Sequence, residues 1–273
     1  MTQKTLLARL TVAAFAGFVA VSFVGLRGQA PSAAVAIDND DIGGVVTGAR
    51  GPEAGVWVIA ETTDTPTRFI KIVVTDDQGR YLVPDLPNGA YDLWVRGYGL
   101  VDSPKVKSTK GQTVDLRAVP APDARAAAQY YPAQYWFALM QVPPASDFPG
   151  TGPQGNGISP NMRTQGEFIR SIVNTDGCSG CHQMGNKATR ELLPALGTFE
   201  TSTAAWDRRI QSGQAGGGMN NRFTQVGRAR ALEMYASWTD RIAKGELPTA
   251  APARPQGRER NMVVTMWDWA DPK

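Results

Sequence analysis

Thr75-Asp76-Asp77-Gln78-Gly79-Arg80-Tyr81, followed shortly by Leu86-Pro87-Asn88-Gly89-Ala90-Tyr91, decides how the first half of this chain folds. Both stretches are turn chemistry that runs into a β-rich segment. Asp-Asp-Gln-Gly and Pro-Asn-Gly start tight turns, and Gly79 and Gly89 suit positions that need positive φ. Working outward, β-rich runs recur at residues 42–47, 55–62, 68–75, 80–83, 91–98 and 113–117. In the second of these, Val56, Val58 and Ala60 alternate with Trp57, Ile59 and Glu61, a pattern expected of a strand covered on both faces. Short strands at regular spacing, separated by Gly-rich turns, predict a β-sandwich over residues 37–120.

The order of these residues resembles the carboxypeptidase regulatory-like (transthyretin-like) β-sandwich family, over about eighty residues. The resemblance implies an accessory or adhesion-like module without catalytic residues. Tyr81 and Tyr91 read as packing residues.

Residues 121–162 form a Pro-, Gly- and aromatic-rich connector. Its cluster from Tyr130 to Phe137 suits an arm packed on its own domain, a haem edge or a partner surface. From Arg163 the period becomes helical. Thr164 and Glu167 make a capping-box pair, Phe168, Ile169, Ile172 and Val173 supply an apolar face, and Gly177 closes the segment. A second helix is predicted over 203–211 with Thr203 as its cap. A third is predicted over 225–244, with Ala231, Tyr235, Trp238 and Ile242 in a stripe. Residues 246–273 read as a linker and then a strand-like aromatic tail. That tail either docks back on this protein or leads into another domain, loosely resembling the first strand of a β-propeller.

Residues 1–36 carry the pattern of an export signal: Lys4 and Arg9, an apolar run to Leu26, and Ala34-Val35-Ala36 as a small-x-small cleavage site. Arg27 after the run leaves an uncleaved anchor open, and this leader is the only membrane contact expected. Both outcomes place the rest of the chain in the periplasm or at the cell surface. The formal charge of +3 comes from 28 basic and 25 acidic residues, and Lys4, Arg9 and Arg27 account for the whole excess. No basic cluster follows, so nucleic acid is not an expected partner.

The chemistry concentrates in Cys178-Ser179-Gly180-Cys181-His182. The two cysteines are the chain's only ones and the histidine is its only one. C-x-x-C-H is the haem-attachment motif: two thiols reach the haem vinyl groups and the adjacent imidazole meets the iron. A thioredoxin-like motif should open a helix after a strand, whereas here a helix precedes it. A zinc site would need further Cys or His ligands. A disulfide at this spacing is strained. The expected cofactor is one covalent haem c on Cys178 and Cys181, with His182 as proximal ligand.

Helix, motif, middle helix, Met-bearing loop and long helix, over residues 163–245, resemble the class I cytochrome c family. The resemblance implies a small all-α domain in which the first and last helices cross. With no second histidine, the distal ligand is Met, Lys, a terminal group, water or nothing. Met184 is close to His182 in sequence and Met234 lies mid-helix. Met219, in the Gly-rich stretch 216–221, sits where the family places its distal methionine. Trp206, Arg208 and Arg209 are candidates to hydrogen-bond the haem propionates.

The fold class expected from all this is multidomain, β then α: an N-terminal β-sandwich followed by a small all-α cytochrome c domain. The expected function is that of an exported c-type cytochrome passing electrons to or from a redox protein partner, an electron carrier rather than an enzyme. Two alternatives stay open. One is a haem-bearing, electron-accepting module of a larger secreted dehydrogenase or lyase-like enzyme. The other is an open-site haem sensor or peroxidase.

Overall fold

The structure, a computed structural model, describes residues 35–174 and 176–272. Apart from Val35 and Ala36, the expected leader lies outside the described residues. The first half is strands: β1 (Ile42–Gly48), β2 (Gly51–Pro52), β3 (Trp57–Thr62), β4 (Thr67–Val74), β5 (Arg80–Val83), β6 (Ala90–Arg96), β7 (Leu100–Val101), β8 (Val106–Thr109), β9 (Gln112–Thr113), β10 (Leu116–Arg117) and β11 (Val119–Pro120). Helices follow: α1 (Ala124–Ala128), α2 (Ala133–Phe137), α3 (Gln165–Phe168), α4 (Lys187–Arg190), α5 (Ser202–Arg209), α6 (Gly216–Val226) and α7 (Arg228–Ala243). A further strand, β12 (Val263–Pro272), comes after them.

The β4–β5 turn shows why its sequence was informative. The Asp76 carboxylate accepts the N–H groups of Gln78 and Arg80 at 2.9 and 2.8 Å, and the Arg80 guanidinium at 2.6 Å. Gly79 has φ of 72°, and a Cβ there would lie 2.5 Å from the Val46 carbonyl, so a side chain is excluded twice over. The turn thus delivers β5 onto β1, in antiparallel register from Val45↔Arg80 to Ile42↔Val83.

Two sheets result. In one, β1 pairs with β2 and β5 antiparallel and with β9 and β10 parallel. The other runs β12-β4-β3-β6-β8, antiparallel throughout. Ile42, Val46, Tyr81 and Val83 from the first sheet share a buried core with Val58, Ala60, Phe69, Tyr91 and Leu93 from the second. The two buried tyrosines each return a hydroxyl to backbone, Tyr81 to Val114 at 2.6 Å and Tyr91 to Pro87 at 2.8 Å, so neither phenol is stranded in that core.

The helical half has its own core, in which Phe168 and Ile172 meet Tyr235 and Trp238. The Thr164–Glu167 capping box forms with both of its bonds. One α turn then widens into a π turn over Ile169–Val173. The middle helix starts earlier than expected, capped by Thr201, whose hydroxyl accepts the Ala204 N–H at 3.1 Å. The long helix expected over 225–244 is broken. Gly227 sits at φ 109°, and a Cβ there would lie 2.1 Å from the Gly157 carbonyl, so the chain turns and α6 and α7 separate.

The expected fold class is corrected on one essential point. Strands come first and helices after, but no free-standing small all-α domain follows an independent sandwich. The described residues form one compact unit. Strand β12 crosses back after the helices and pairs with β4 from Val263↔Val73 to Asp268↔Arg68. Trp267 packs its ring edge-on to Phe69, with centroids 4.6 Å apart. The segment before β12 is pinned as well: Arg254 donates to the Tyr98 carbonyl at 3.0 Å and to Glu53 at 2.6 Å, and Arg260 pairs with Asp77. Residues 121–162 do more than connect. Ala128, Trp136, Leu139 and Ile158 belong to the helical core, while Tyr131 stacks edge-on to Tyr98 at 6.1 Å and Arg96 lies over the Tyr130 ring at 5.1 Å. The physical reason is that an apolar strand such as β12 cannot stay solvated alone, and β4 offered it an unpaired edge. Among the described residues no helix is long and apolar enough to cross a membrane.

Candidate functional site

Cys178 opens a single 3₁₀ turn, Cys178–Gly180, and Cys181 caps its end, with His182 just beyond. The His182 N–H bonds to the Cys178 carbonyl at 2.9 Å, and the Ser179 hydroxyl ties the turn to the Val173 carbonyl at 2.7 Å. Gly177 leads in because nothing larger fits: a Cβ there would lie 2.5 Å from the backbone of Ile172. Both cysteines are free thiols. Cys178 points toward the core, and Cys181 and His182 are exposed.

The structure brings Cys178, His182 and Met219 onto the wall of one cavity of about 260 Å³, together with Met184, Trp206, Arg209, Ile210, Phe223 and Tyr235. Met219 was expected in a flexible loop. It stands instead in the first turn of α6, its N–H bonded to the Ala215 carbonyl at 2.9 Å. Three glycines are poor helix formers, but Phe223 and Val226 are buried under α7 and hold the helix in place. Gly216 is required by contact, since a Cβ would meet the Gln211 carbonyl at 2.6 Å. Met184 also reaches the cavity, despite its closeness to His182 in sequence. Met234 does not line it and is buried in the core.

Burial pushes the Cys178 thiol up from its ordinary value, while its hydrogen bond with Tyr235 and the nearby Arg209 charge pull the other way. Tyr235 is wholly buried and donates to the Ile172 carbonyl at 3.0 Å. Burial, first, and the neighbouring Cys178 raise its pKa well above the usual phenol value.

The three candidates for propionate contacts part ways. Trp206 lines the cavity, but its indole N–H is spent on the Thr239 hydroxyl at 3.0 Å, inside the core. Arg208 is exposed, bonds Ser212 at 2.9 Å and does not line the cavity. Arg209 lines it, with its guanidinium 4.6 Å over the Trp206 ring. It donates to the carbonyls of Thr189 and Glu191 at 3.2 and 3.1 Å, and to that of Ala188. Burial lowers its pKa, with Cys178 acting in the opposite sense. Sequence reasoning placed Tyr235 and Phe223 in the core or passed over them. A residue on an apolar helical stripe carries no signal that it shares a cavity wall with a cysteine.

The wall suits a haem on chemical grounds. Thiol, imidazole and thioether are the soft and borderline donors that hold haem and its iron. The other wall residues are mostly apolar, as a macrocycle requires. The cavity is smaller than the ~300 Å³ at which small-molecule pockets begin, so a group of that size would be only partly enclosed. Elsewhere, the carboxylates of Asp38, Asp40 and Asp41 lie within 4.8 Å of one another. They cap local backbone, with Asp41 accepting the N–H groups of Asp38 and Asp85 at 3.1 and 3.3 Å.

No family model matches the chain, and no curated protein matches it. Among solved structures, a streptococcal ancillary pilin is similar over 32% of this chain and 31% of its own, at 16% identity and a TM-score of 0.26. A type II cohesin–X-dockerin complex from Acetivibrio cellulolyticus is similar over 31% of this chain and 60% of its own, at 17% identity and a TM-score of 0.24. The chain therefore spans less than two thirds of either, and neither likeness bears on the cavity.

Proposed function

We propose that this chain is an exported c-type cytochrome that carries one covalent haem on Cys178 and Cys181 and passes electrons to or from a redox protein partner. The observation that carries the reading is the gathering of the chain's only two cysteines and only histidine into five positions, beside a cavity that also presents Met219. When bound there, a haem supplies one-electron redox chemistry at its iron.

The chain's own residues have separable tasks. Cys178 and Cys181 would anchor the group, His182 would serve as proximal ligand and Met219 as distal ligand. Ile210, Phe223 and Met184 would exclude water from the cavity. Tyr235 anchors α7 to the Ile172 carbonyl ahead of the motif, and Arg209 ties α5 to the carbonyls of the segment that follows it. The family resemblance to class I cytochromes c supports the ligand roles, and the leader pattern supports an extracytoplasmic location.

The test is expression with haem-maturation machinery, followed by visible spectra of denatured and native protein. The expected outcome is haem that survives denaturation, with a low-spin native spectrum and a far-red sulfur-to-iron band. Covalent haem without that band would shift the reading to an open-site sensor or peroxidase. No covalent haem despite active maturation would overturn it.

A further inference from the structure

A second cavity, of about 420 Å³, lies on the other side of the Trp206–Thr239 hydrogen bond and shares no wall residue with the Cys178 cavity. Its most unusual wall residue is Arg190, at the end of α4. Arg190 is only 6% exposed. Its guanidinium lies 4.3 Å over the Trp136 ring, and one N–H reaches the Gly185 carbonyl at 2.9 Å. A guanidinium has five N–H donors in a fixed fork. Among the described residues no carboxylate comes within ion-pair distance of this one, and Glu191 acts on it only from further away. Burying such a charge without a partner is costly, so a partner from outside the chain is the economical solution.

The rest of the wall narrows the chemistry of that partner. Arg125 lines the same cavity and likewise makes no ion pair among the described residues. Asp240 and Glu191 are on the wall too; the Asp240 carboxylate accepts the Ser202 hydroxyl, and Glu191 lies within ion-pair distance of neither arginine. Leu192, Leu247 and the Trp136 ring complete an apolar side. Two guanidinium forks without ion pairs, beside the apolar side of a mixed wall, match a planar anion on a hydrophobic body, because a carboxylate accepts two parallel N–H groups from an arginine. We propose that this cavity binds a small monocarboxylate with an apolar body, its carboxylate held by Arg190 and Arg125. The assignment stands on this cavity alone and does not depend on the reading of Cys178 and His182.

The test is calorimetric titration of the full-length chain with benzoate, hexanoate and phenylalanine, with benzamide as the neutral isostere of benzoate. At least one carboxylate is expected to bind. Benzamide should bind at least about tenfold more weakly than benzoate, the ratio that one lost charge-assisted contact produces. Arg190→Gln should remove binding. Because Arg190 also packs on Trp136, the exposed Arg125→Gln is the second variant, expected to weaken binding about tenfold without changing the melting temperature. Equal binding of benzoate and benzamide, unchanged binding in Arg125→Gln, or no binding of any of the three carboxylates at millimolar concentration would overturn the proposal. A final arm compares haem-loaded protein with Cys178→Ser/Cys181→Ser. Binding confined to the haem-free form would mean that the porphyrin's own carboxylates fill the cavity, and the free ligand would be ruled out.

Discussion

The Tyr235 hydroxyl donates to the Ile172 carbonyl at 3.0 Å, so one buried phenol joins α7 to the π turn that leads into the cysteine motif. The bond to Ile172 also closes the account of a wholly buried hydroxyl.

Tyr235→Phe is therefore expected to destabilise the chain by about 1–3 kcal/mol, the cost of a buried carbonyl left without its donor. Thermal unfolding would register it as a lowered melting temperature. Covalent haem, read from the denatured-state spectrum, should be retained. Loss of haem at an unchanged melting temperature would mean that Tyr235 acts on attachment itself and not on stability.

The two methionines give opposite expectations. Met219→Ala should leave haem attached and alter the oxidised spectrum, because a cavity-wall thioether is removed. Met234→Ala should leave the spectrum alone and cost about 2–5 kcal/mol, as large-to-small changes in a packed core do. An unchanged spectrum in Met219→Ala would sink the distal-ligand assignment.

Glu61 gives a pH dependence. Burial raises its pKa, but hydrogen bonds and charge from Lys105 and Arg68 outweigh that and hold the carboxyl below its ordinary 4.5. The stabilisation is therefore present above about pH 4.5 and lost as the pH falls through the lower folded-state value. Glu61→Gln should be less stable than the parent at neutral pH, and the gap should close on acidification below that point. Denaturant melts at several pH values would check it; a gap constant with pH would contradict the assignment.

Trp267→Ala should weaken the β12–β4 pairing by about 0.5–1.5 kcal/mol beyond the area lost, the value of an edge-on aromatic pair. Hydrogen exchange should then rise first in β4, the strand whose edge β12 covers. Exchange rising uniformly across both halves would instead indicate that β12 is essential to global stability.

What the sequence disclosed was local. Asp76 and Gly79 act within their own turn, Thr164 and Glu167 within one helical turn, and Cys178, Cys181 and His182 within five positions. Each signal is complete in the segment that carries it. What stayed hidden depends on distant partners. The break at Gly227 is imposed by the carbonyl of Gly157. The helix that bears Met219 exists because Phe223 and Val226 are buried under α7, overriding the low propensity of its glycines. The apolar pattern of β12 marked it as a strand, but nothing in its own residues named β4 as its partner.

That pairing also has a bearing on the order of assembly. Chains are synthesised from the N-terminus, and β4 is complete long before Val263 emerges. Until then its edge is an open template for any passing strand, and the helices between must be laid down first. Contacts this distant in sequence form slowly. The β-half is thus the early part of the chain to appear and among the last to be finished, its final register waiting on a segment made after the cysteine motif.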